Sequence, residues 1–173
     1  MSDRGARPAR ADFHFWWPVT VRWGDMDALG HVNNAIYFQY VESARVGYFE
    51  ERGWNSRDPS PTRQGPVVVS QMFNYRRQLH YPGEVEVGLE CTEIRGRSFV
   101  LSCAIFRKET NELIGDGSCV VVWLDYAAGK AVEFPPTVRD RLMENIPSGR
   151  QGRSCLPETR NEKPITDNSK PAI

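Results

Sequence analysis

The segment from Asn34 to Arg52 has the spacing of one long helix that is apolar on more than one face. Four of its apolar residues advance by four, three and four positions and therefore share one face: Tyr37, Val41, Ala44 and Tyr48. Gly53 follows at the position where helices commonly end. Other aromatic and aliphatic side chains fall outside this face, so we expect other elements to cover the helix on several sides.

The rest of the central sequence has the alternation of β-strands. We expect one strand in FHFWWPVTVRW, before the helix, and three alternating runs after it: Val67, Val69, Phe73 and Tyr75; Val85, Val87, Leu89 and Cys91; Phe99, Leu101, Cys103 and Ile105. The runs FVLSCAIF and CVVVWL are nearly continuous in apolar residues, which indicates strands covered on both faces. The helix would be one cover, and we expect a partner subunit to be the other. One helix and about five strands predict an α+β fold with an antiparallel sheet curled around the helix.

The composition indicates one domain without a strongly charged partner. The chain has 173 residues with 22 basic and 22 acidic side chains and no run of like charge, so we expect no nucleic acid and no membrane as partner. No window approaches an apolar membrane span, and the start MSDRGARPARAD lacks the apolar stretch of a secretory signal, so we expect neither. The four cysteines are too widely spaced for a metal knuckle. We therefore expect a cytoplasmic protein with reduced thiols.

Polar composition predicts flexible tails at 1–12 and 147–173 around a domain at 13–146.

The residues before the helix have the chemistry of an acyl-transfer site. If Asn33 is the N-cap, its side chain accepts a backbone N–H of the first turn and leaves the N–H of Asn34 unpaired. The helix dipole adds partial positive charge there, which favours a polarised carbonyl oxygen. Gly30 lets the chain pass close to a ligand, and we assign Gly30 and Asn33 to substrate binding. An upstream carboxylate, Asp25 or Asp27, can attack the same carbonyl or activate a water, so the pattern predicts a hydrolytic acyl site.

These residues resemble the signature of a known family. The pattern D-x-D-x-x-G-H-V-N-N-x-x-Y, continued as YxxYxExAR, is similar to that of the hotdog-fold acyl-CoA thioesterases of the 4-hydroxybenzoyl-CoA thioesterase family. The segments YRRQLHYPGEV, VVVWLD and FPPTVRDRL extend the likeness over nearly the whole domain. The resemblance implies a hotdog fold, an antiparallel sheet of about five to six strands wrapped around one long central helix. It also implies a homodimer or homotetramer with sites between subunits, and no cofactor beyond the coenzyme A of the substrate.

The resemblance implies residue roles as well. The second aspartate of the motif, Asp27, is the catalytic carboxylate, and the backbone N–H of Asn34 polarises the thioester. Related plant acyl-ACP thioesterases have an asparagine two residues after the aspartate and a histidine two beyond it. Here Leu29 replaces the asparagine while His31 is kept, which favours Asp27 acting with the helix terminus over a histidine-assisted mechanism. His31 then has two interpretations, a hydrogen bond within the loop or one to the thioester sulfur.

Other polar residues also have two interpretations. Asp25 is either structural, which we expect, or the upstream carboxylate of the site. Glu42 and Arg45 are expected to form a surface pair on the helix, and in an assembled dimer Glu42 could instead orient the site. Three basic residues are either a solvated strand end or contacts to the phosphates of coenzyme A: Arg76, Arg77 and His80. The three histidines of the chain form no ligand-spaced cluster with cysteines or carboxylates, so no metal site is predicted.

The sequence therefore predicts an acyl-CoA thioesterase that releases a carboxylic acid and free coenzyme A. Asp27 would act as nucleophile or as general base for water. Two other functions stay open at this point. One is a non-catalytic module of the same fold that binds acyl-CoA or an acyl-carrier protein. The other is a hotdog hydratase or dehydratase, whose usual helix motif is not found in this sequence.

Overall fold

The chain folds into an antiparallel sheet that curls around one long helix. The computed structural model describes residues 7–54 and 64–144. Its elements in chain order are β1 Phe15–Val21, α1 Asn34–Glu51, β2 Gln64–Tyr75, β3 Gly83–Ile94, β4 Ser98–Arg107, β5 Leu113–Asp125, β6 Lys130–Ala131 and α2 Pro136–Met143. The strands lie in the order β1-β3-β4-β5-β2, and the short β6 pairs with β5. The predicted α+β architecture is confirmed.

Helix α1 begins and ends where its sequence predicts. Asn33 is the N-cap, and its Oδ1 accepts the backbone N–H of Ala35 at 2.9 Å. Gly53, just past the end, has a φ of 71°, which residues with a Cβ rarely adopt. The predicted apolar face is buried, since none of its four residues is more than 4 % exposed. These side chains form the core together with the inward-facing residues of β3, β4 and β5.

Strand β4 is largely buried on both faces, as its apolar run predicts. The N-terminal segment of the same chain covers part of the face that points away from α1. Phe13 and Trp16 both pack edge-on against Phe106, and Arg10 forms an ion pair with Glu86 at 2.6 Å. The expectation that a partner subunit supplies the second cover is therefore wrong for this part of β4.

Strand β2 departs from the predicted alternation. Its register with β5 shifts between Val68 and Ser70, which is the mark of a β-bulge. Val69 is consequently 58 % exposed, whereas Phe73 beyond the bulge points into the core. The expectation that Val67, Val69 and Phe73 share one face is wrong, because one extra residue exchanges the inward and outward positions of a strand.

Three of the four cysteines lie in the described part of the chain. Cys91, Cys103 and Cys119 are buried free thiols, as expected, and burial raises the pKa of Cys91 to about 12. Cys155 and the predicted C-terminal tail lie outside the described residues. Neither helix in the described part of the chain is long and apolar enough to cross a membrane. The division into a domain and two tails stays a prediction.

Candidate active site

The loop from Asp27 to His31 precedes helix α1 and is closed by its own backbone. At its base, Met26 and Val32 form an isolated antiparallel bridge. Within the loop, the Asp27 N–H donates to the His31 carbonyl at 2.9 Å, and the Gly30 N–H donates to the Asp27 carbonyl at 3.1 Å. Gly30 has a φ of 81°, so this turn favours glycine. The loop therefore has a defined shape ahead of the helix.

The first turn of α1 presents an unpaired N–H. The Asn33 carbonyl accepts the Ile36 N–H at 3.0 Å, and the Asn33 side chain accepts the N–H of Ala35. The N–H of Asn34 has no acceptor among the residues that the structure describes. Its carbonyl accepts the Tyr75 hydroxyl at 3.0 Å, which ties the helix start to β2. The helix dipole adds partial positive charge at this N–H, so it is suited to an oxyanion.

The Asp27 carboxylate lies next to His31. Its Oδ2 is 3.5 Å from the His31 Nδ1, and the two side chains are 21 % and 27 % exposed, respectively. Its Oδ1 accepts the Leu29 N–H at 2.8 Å, as in a pre-helix turn. One oxygen thus shapes the loop, while the other faces His31. The His31 Nδ1 also lies 3.3 Å from the Val32 carbonyl. Both neighbours of this nitrogen therefore lie in the loop or in the residue directly after it.

Asp25 is buried and accepts hydrogen bonds from two residues, Arg22 and Tyr40, as expected for a structural residue. Its side chain is 2 % exposed. It accepts the Tyr40 hydroxyl at 2.5 Å, and it accepts the backbone N–H and the guanidinium of Arg22 at 2.8 and 2.9 Å. Burial acts to raise the pKa of this carboxyl, but the hydrogen bonds from Arg22 and Tyr40 outweigh it and lower the pKa. Asp25 is therefore a carboxylate near neutral pH.

The two arginines predicted to contact coenzyme A follow the end of β2, and each has a carboxylate partner. Arg76 forms two hydrogen bonds with Asp116, at 2.5 and 3.2 Å. The Arg77 Nε donates to Glu112 at 3.2 Å, and 62 % of the Arg77 side chain is exposed. Because Arg76 is held in a two-point pair, Arg77 is the freer of the two cations. The phosphate contacts stay a prediction.

The segment after β2 braces the loop in a way that the sequence did not reveal. His80, the third predicted phosphate contact, donates from Nδ1 to the Gly30 carbonyl at 2.9 Å. One residue earlier, the Leu79 carbonyl accepts the Val32 N–H at 2.8 Å. These contacts join residues nearly 50 positions apart, so no local pattern could have indicated them. His80 therefore braces the loop, and its contact with a phosphate stays a prediction.

Arg45 is not the surface residue that its spacing from Glu42 predicts. Arg45 is only 7 % exposed, and its guanidinium lies near the Cys119 thiol, where burial raises the pKa of that thiol while the charge of Arg45 acts to lower it. Within the described residues it forms no ion pair with Glu42, and its Nη1 has no acceptor. The surface-pair prediction is wrong because Arg45 lies four residues after Val41, on the buried face of α1.

Comparison with known proteins assigns this fold and its loop motif to a family. Residues 21–142 match the Thioesterase-like superfamily, from the end of β1 to α2, and the match includes the whole Asp27 loop. The chain belongs to this superfamily. It is a thioesterase with the hotdog fold, so the resemblance noted in the sequence is confirmed.

Two relatives and a solved structure show how far this thioesterase resembles other proteins. The long-chain acyl-CoA thioesterase FadM of Escherichia coli K12 is 25 % identical over 135 residues, which cover 74 % of this chain and 96 % of FadM. The acyl-CoA thioester hydrolase YbgC of Escherichia coli O6:H1 is 28 % identical over 124 residues, covering 72 % and 92 %. The structure of the PA2801 protein of Pseudomonas aeruginosa superposes with a TM-score of 0.68 at 34 % identity, covering 74 % and 97 %.

Proposed function

We propose that this thioesterase hydrolyses an acyl-CoA to a carboxylic acid and free coenzyme A, using the Asp27 carboxylate and the backbone N–H of Asn34. The observation that carries the proposal is the unpaired Asn34 N–H at the start of α1, directly after the loop of Asp27. FadM and YbgC, which are named for acyl-CoA thioesters, support coenzyme A as the thiol. The proposed reaction uses no metal or redox cofactor, and coenzyme A enters only as part of the substrate.

In the proposed mechanism, the thioester oxygen accepts the Asn34 N–H. Negative charge develops on this oxygen as the carbonyl carbon becomes tetrahedral, and the helix start stabilises it. As a general base, Asp27 takes a proton from a water whose oxygen bonds to that carbon. When the C–S bond breaks, the protonated Asp27 gives this proton to the leaving sulfur, so the thiol departs and the carboxylate is restored. As a nucleophile, Asp27 bonds to the carbon and expels the thiolate, and water then hydrolyses the mixed anhydride.

The proposal also gives roles to neighbouring groups. Gly30 allows the substrate to approach the loop, and Asn33 caps α1 so that the Asn34 N–H stays available. Arg77, with Arg76 and His80 nearby in sequence, would contact the phosphates of coenzyme A. We further propose that the enzyme assembles as a homodimer or homotetramer.

The test is thiol release from short, medium, long and aryl acyl-CoAs by the wild type and by Asp27→Asn. The wild type should release thiol from at least one chain class. Asp27→Asn should lower kcat by about 10²-fold or more, the range for loss of a general base. Asp140→Asn is the matched control, since Asp140 lies exposed on α2 and the same change there should leave kcat unaltered.

Each alternative function gives a different result. Equal rates for the wild type and Asp27→Asn would remove Asp27 from the mechanism. No thiol release from any substrate, with binding of a nonhydrolysable acyl-CoA, would favour the binding module. Hydration of an enoyl-CoA by the wild type would favour the hydratase.

A further inference from the structure

Asp25 is a buried carboxylate beside the site that the proposed chemistry does not use. Its carboxylate contacts three donors: the Tyr40 hydroxyl of α1 at 2.5 Å, and, just after β1, the Arg22 backbone N–H at 2.8 Å and the Arg22 guanidinium at 2.9 and 3.1 Å. Its backbone carbonyl accepts the N–H of Asn33, the cap of α1, at 2.9 Å. One residue therefore joins the end of β1, the helix cap and the body of α1.

These contacts set the position of α1 along its own axis and its rotation about that axis. Tyr40 lies six residues after Asn34, so the two are about 9 Å apart along the axis of α1. The contacts of Asp25 with Asn33, next to Asn34, and with Tyr40 therefore oppose sliding and rotation of the helix relative to Asp25. The bridge between Met26 and Val32 begins at the next residue and fixes the base of the loop that carries Asp27.

We propose that Asp25 is a positioning residue that holds the Asp27 carboxylate and the Asn34 N–H in register, through its contacts with Tyr40 and Asn33. The inference rests on the proposed function, because it concerns the geometry of that same site. A shift of about 1 Å between reacting groups is enough to lower a rate about 10²-fold, so a rigid connection at this point has a direct effect on catalysis.

The hydrogen bonds of Asp25 to Tyr40 and Arg22 require the ionised form of its side chain. A carboxylate can accept from Tyr40 and from both donors of Arg22 at once. An asparagine has nearly the same shape but places an NH₂ group against one of these donors. Asp25→Asn therefore disturbs the network without emptying the site, and Tyr40→Phe removes only the contact with the body of α1.

The experiment measures kcat and KM for the wild type, Asp25→Asn, Tyr40→Phe and the double variant, on the thioester that the wild type cleaves best. We expect Asp25→Asn to lower kcat about 30-fold, with KM within about two-fold, and Tyr40→Phe to lower kcat about ten-fold. The double variant should be no slower than Asp25→Asn, since both changes break one connection. Multiplied effects in the double variant, or a change confined to KM, would overturn the inference.

A stability control separates positioning from general loosening of the fold. Leu142→Ala creates a cavity at a buried position of α2, away from the loop, and should lower the melting temperature while leaving kcat unchanged. If Leu142→Ala, at the same folded fraction, loses as much kcat as Asp25→Asn, the role of Asp25 is only structural and the inference fails.

Hydrogen–deuterium exchange tests the same inference without turnover. In Asp25→Asn, amides of residues 26–36 should exchange faster, while those of β3 and β4 keep wild-type rates. Unchanged exchange in residues 26–36 would overturn the inference whatever the activity. If the wild type cleaves no thioester, the proposed function fails on its own, and the exchange result still decides whether Asp25 positions the loop.

Discussion

Asp25 and Asp27 are two positions apart, and their surroundings separate their roles. The Asp25 side chain is 2 % exposed and its oxygens accept from Arg22 and Tyr40, whereas the Asp27 side chain is 21 % exposed. A carboxylate whose acceptor sites are taken cannot also attack a thioester. Replacement of Asp25 should therefore affect stability as well as rate, while replacement of Asp27 should affect mainly rate.

The stability contributed by Asp25 should depend on pH. Its folded-state pKa lies below the ordinary value of 3.8, so it stabilises the fold above that pH and loses the effect as pH falls through the folded-state pKa. Asp25→Asn should lower the free energy of unfolding by about 2 kcal/mol at pH 7, the range for hydrogen bonds to a charged group. Urea denaturation of both proteins from about pH 7 to pH 2.5 should show this difference shrinking below about pH 4.

Asp140→Asn serves as the control for that titration, because Asp140 is exposed and has no cation partner among the described residues. Its difference from the wild type should stay small at every pH. A difference between the wild type and Asp25→Asn that is as large at pH 2.5 as at pH 7 would contradict the assignment of that stability to the Asp25 carboxylate.

At the residue scale, the sequence revealed what depends on near neighbours. The cap at Asn33 and the free N–H of Asn34 follow from residues within one helical turn, and both are found in the structure. The pair of Arg76 with Asp116 joins positions 40 residues apart, and no local pattern indicates it. Long-range partners decide whether a charged side chain is free to bind a ligand, so the phosphate contacts could not be ranked from sequence.

At the scale of elements, the cap at the start of α1 contributes both to the stability of the fold and to the proposed catalysis. Asn33→Ala removes the side-chain acceptor of the Ala35 N–H and should cost about 1 kcal/mol of unfolding free energy. The same change lets the first turn fray, so kcat for thioester hydrolysis should fall about ten-fold. Asn33→Ser keeps a capping oxygen and is the matched variant. Denaturation and kinetics that do not distinguish alanine from serine at this position would show that the cap does not hold the site.

The bulge in β2 shows why element type was easier to predict than side-chain direction. The alternation of apolar residues identified β2 as a strand, and the structure has it over Gln64–Tyr75. The extra residue between Val68 and Ser70 then reverses which side faces the core. A bulge depends on pairing with the neighbouring strand, here β5, which lies about 50 residues further along the chain.

At the scale of the whole molecule, β2 has the features of a contact surface between copies. It lies at one end of the described sheet with β5 as its neighbour, and it exposes Val69 and Met72 at 58 % and 46 %. A second copy placed against β2 would cover these apolar side chains and pair the edge of the strand that is free in the described sheet.

The oligomer can be tested by light scattering after gel filtration. The wild type should have two or four times the chain mass of 19.7 kDa. Val69→Lys places a charge on the β2 surface and should shift the mass to that of a single chain, whereas Met143→Lys adds the same charge to an exposed position on α2 and should not. Because the family resemblance implies sites between subunits, we expect Val69→Lys also to lose thioester hydrolysis. A monomeric wild type, or a Val69→Lys variant that keeps the wild-type mass, would contradict an interface at β2.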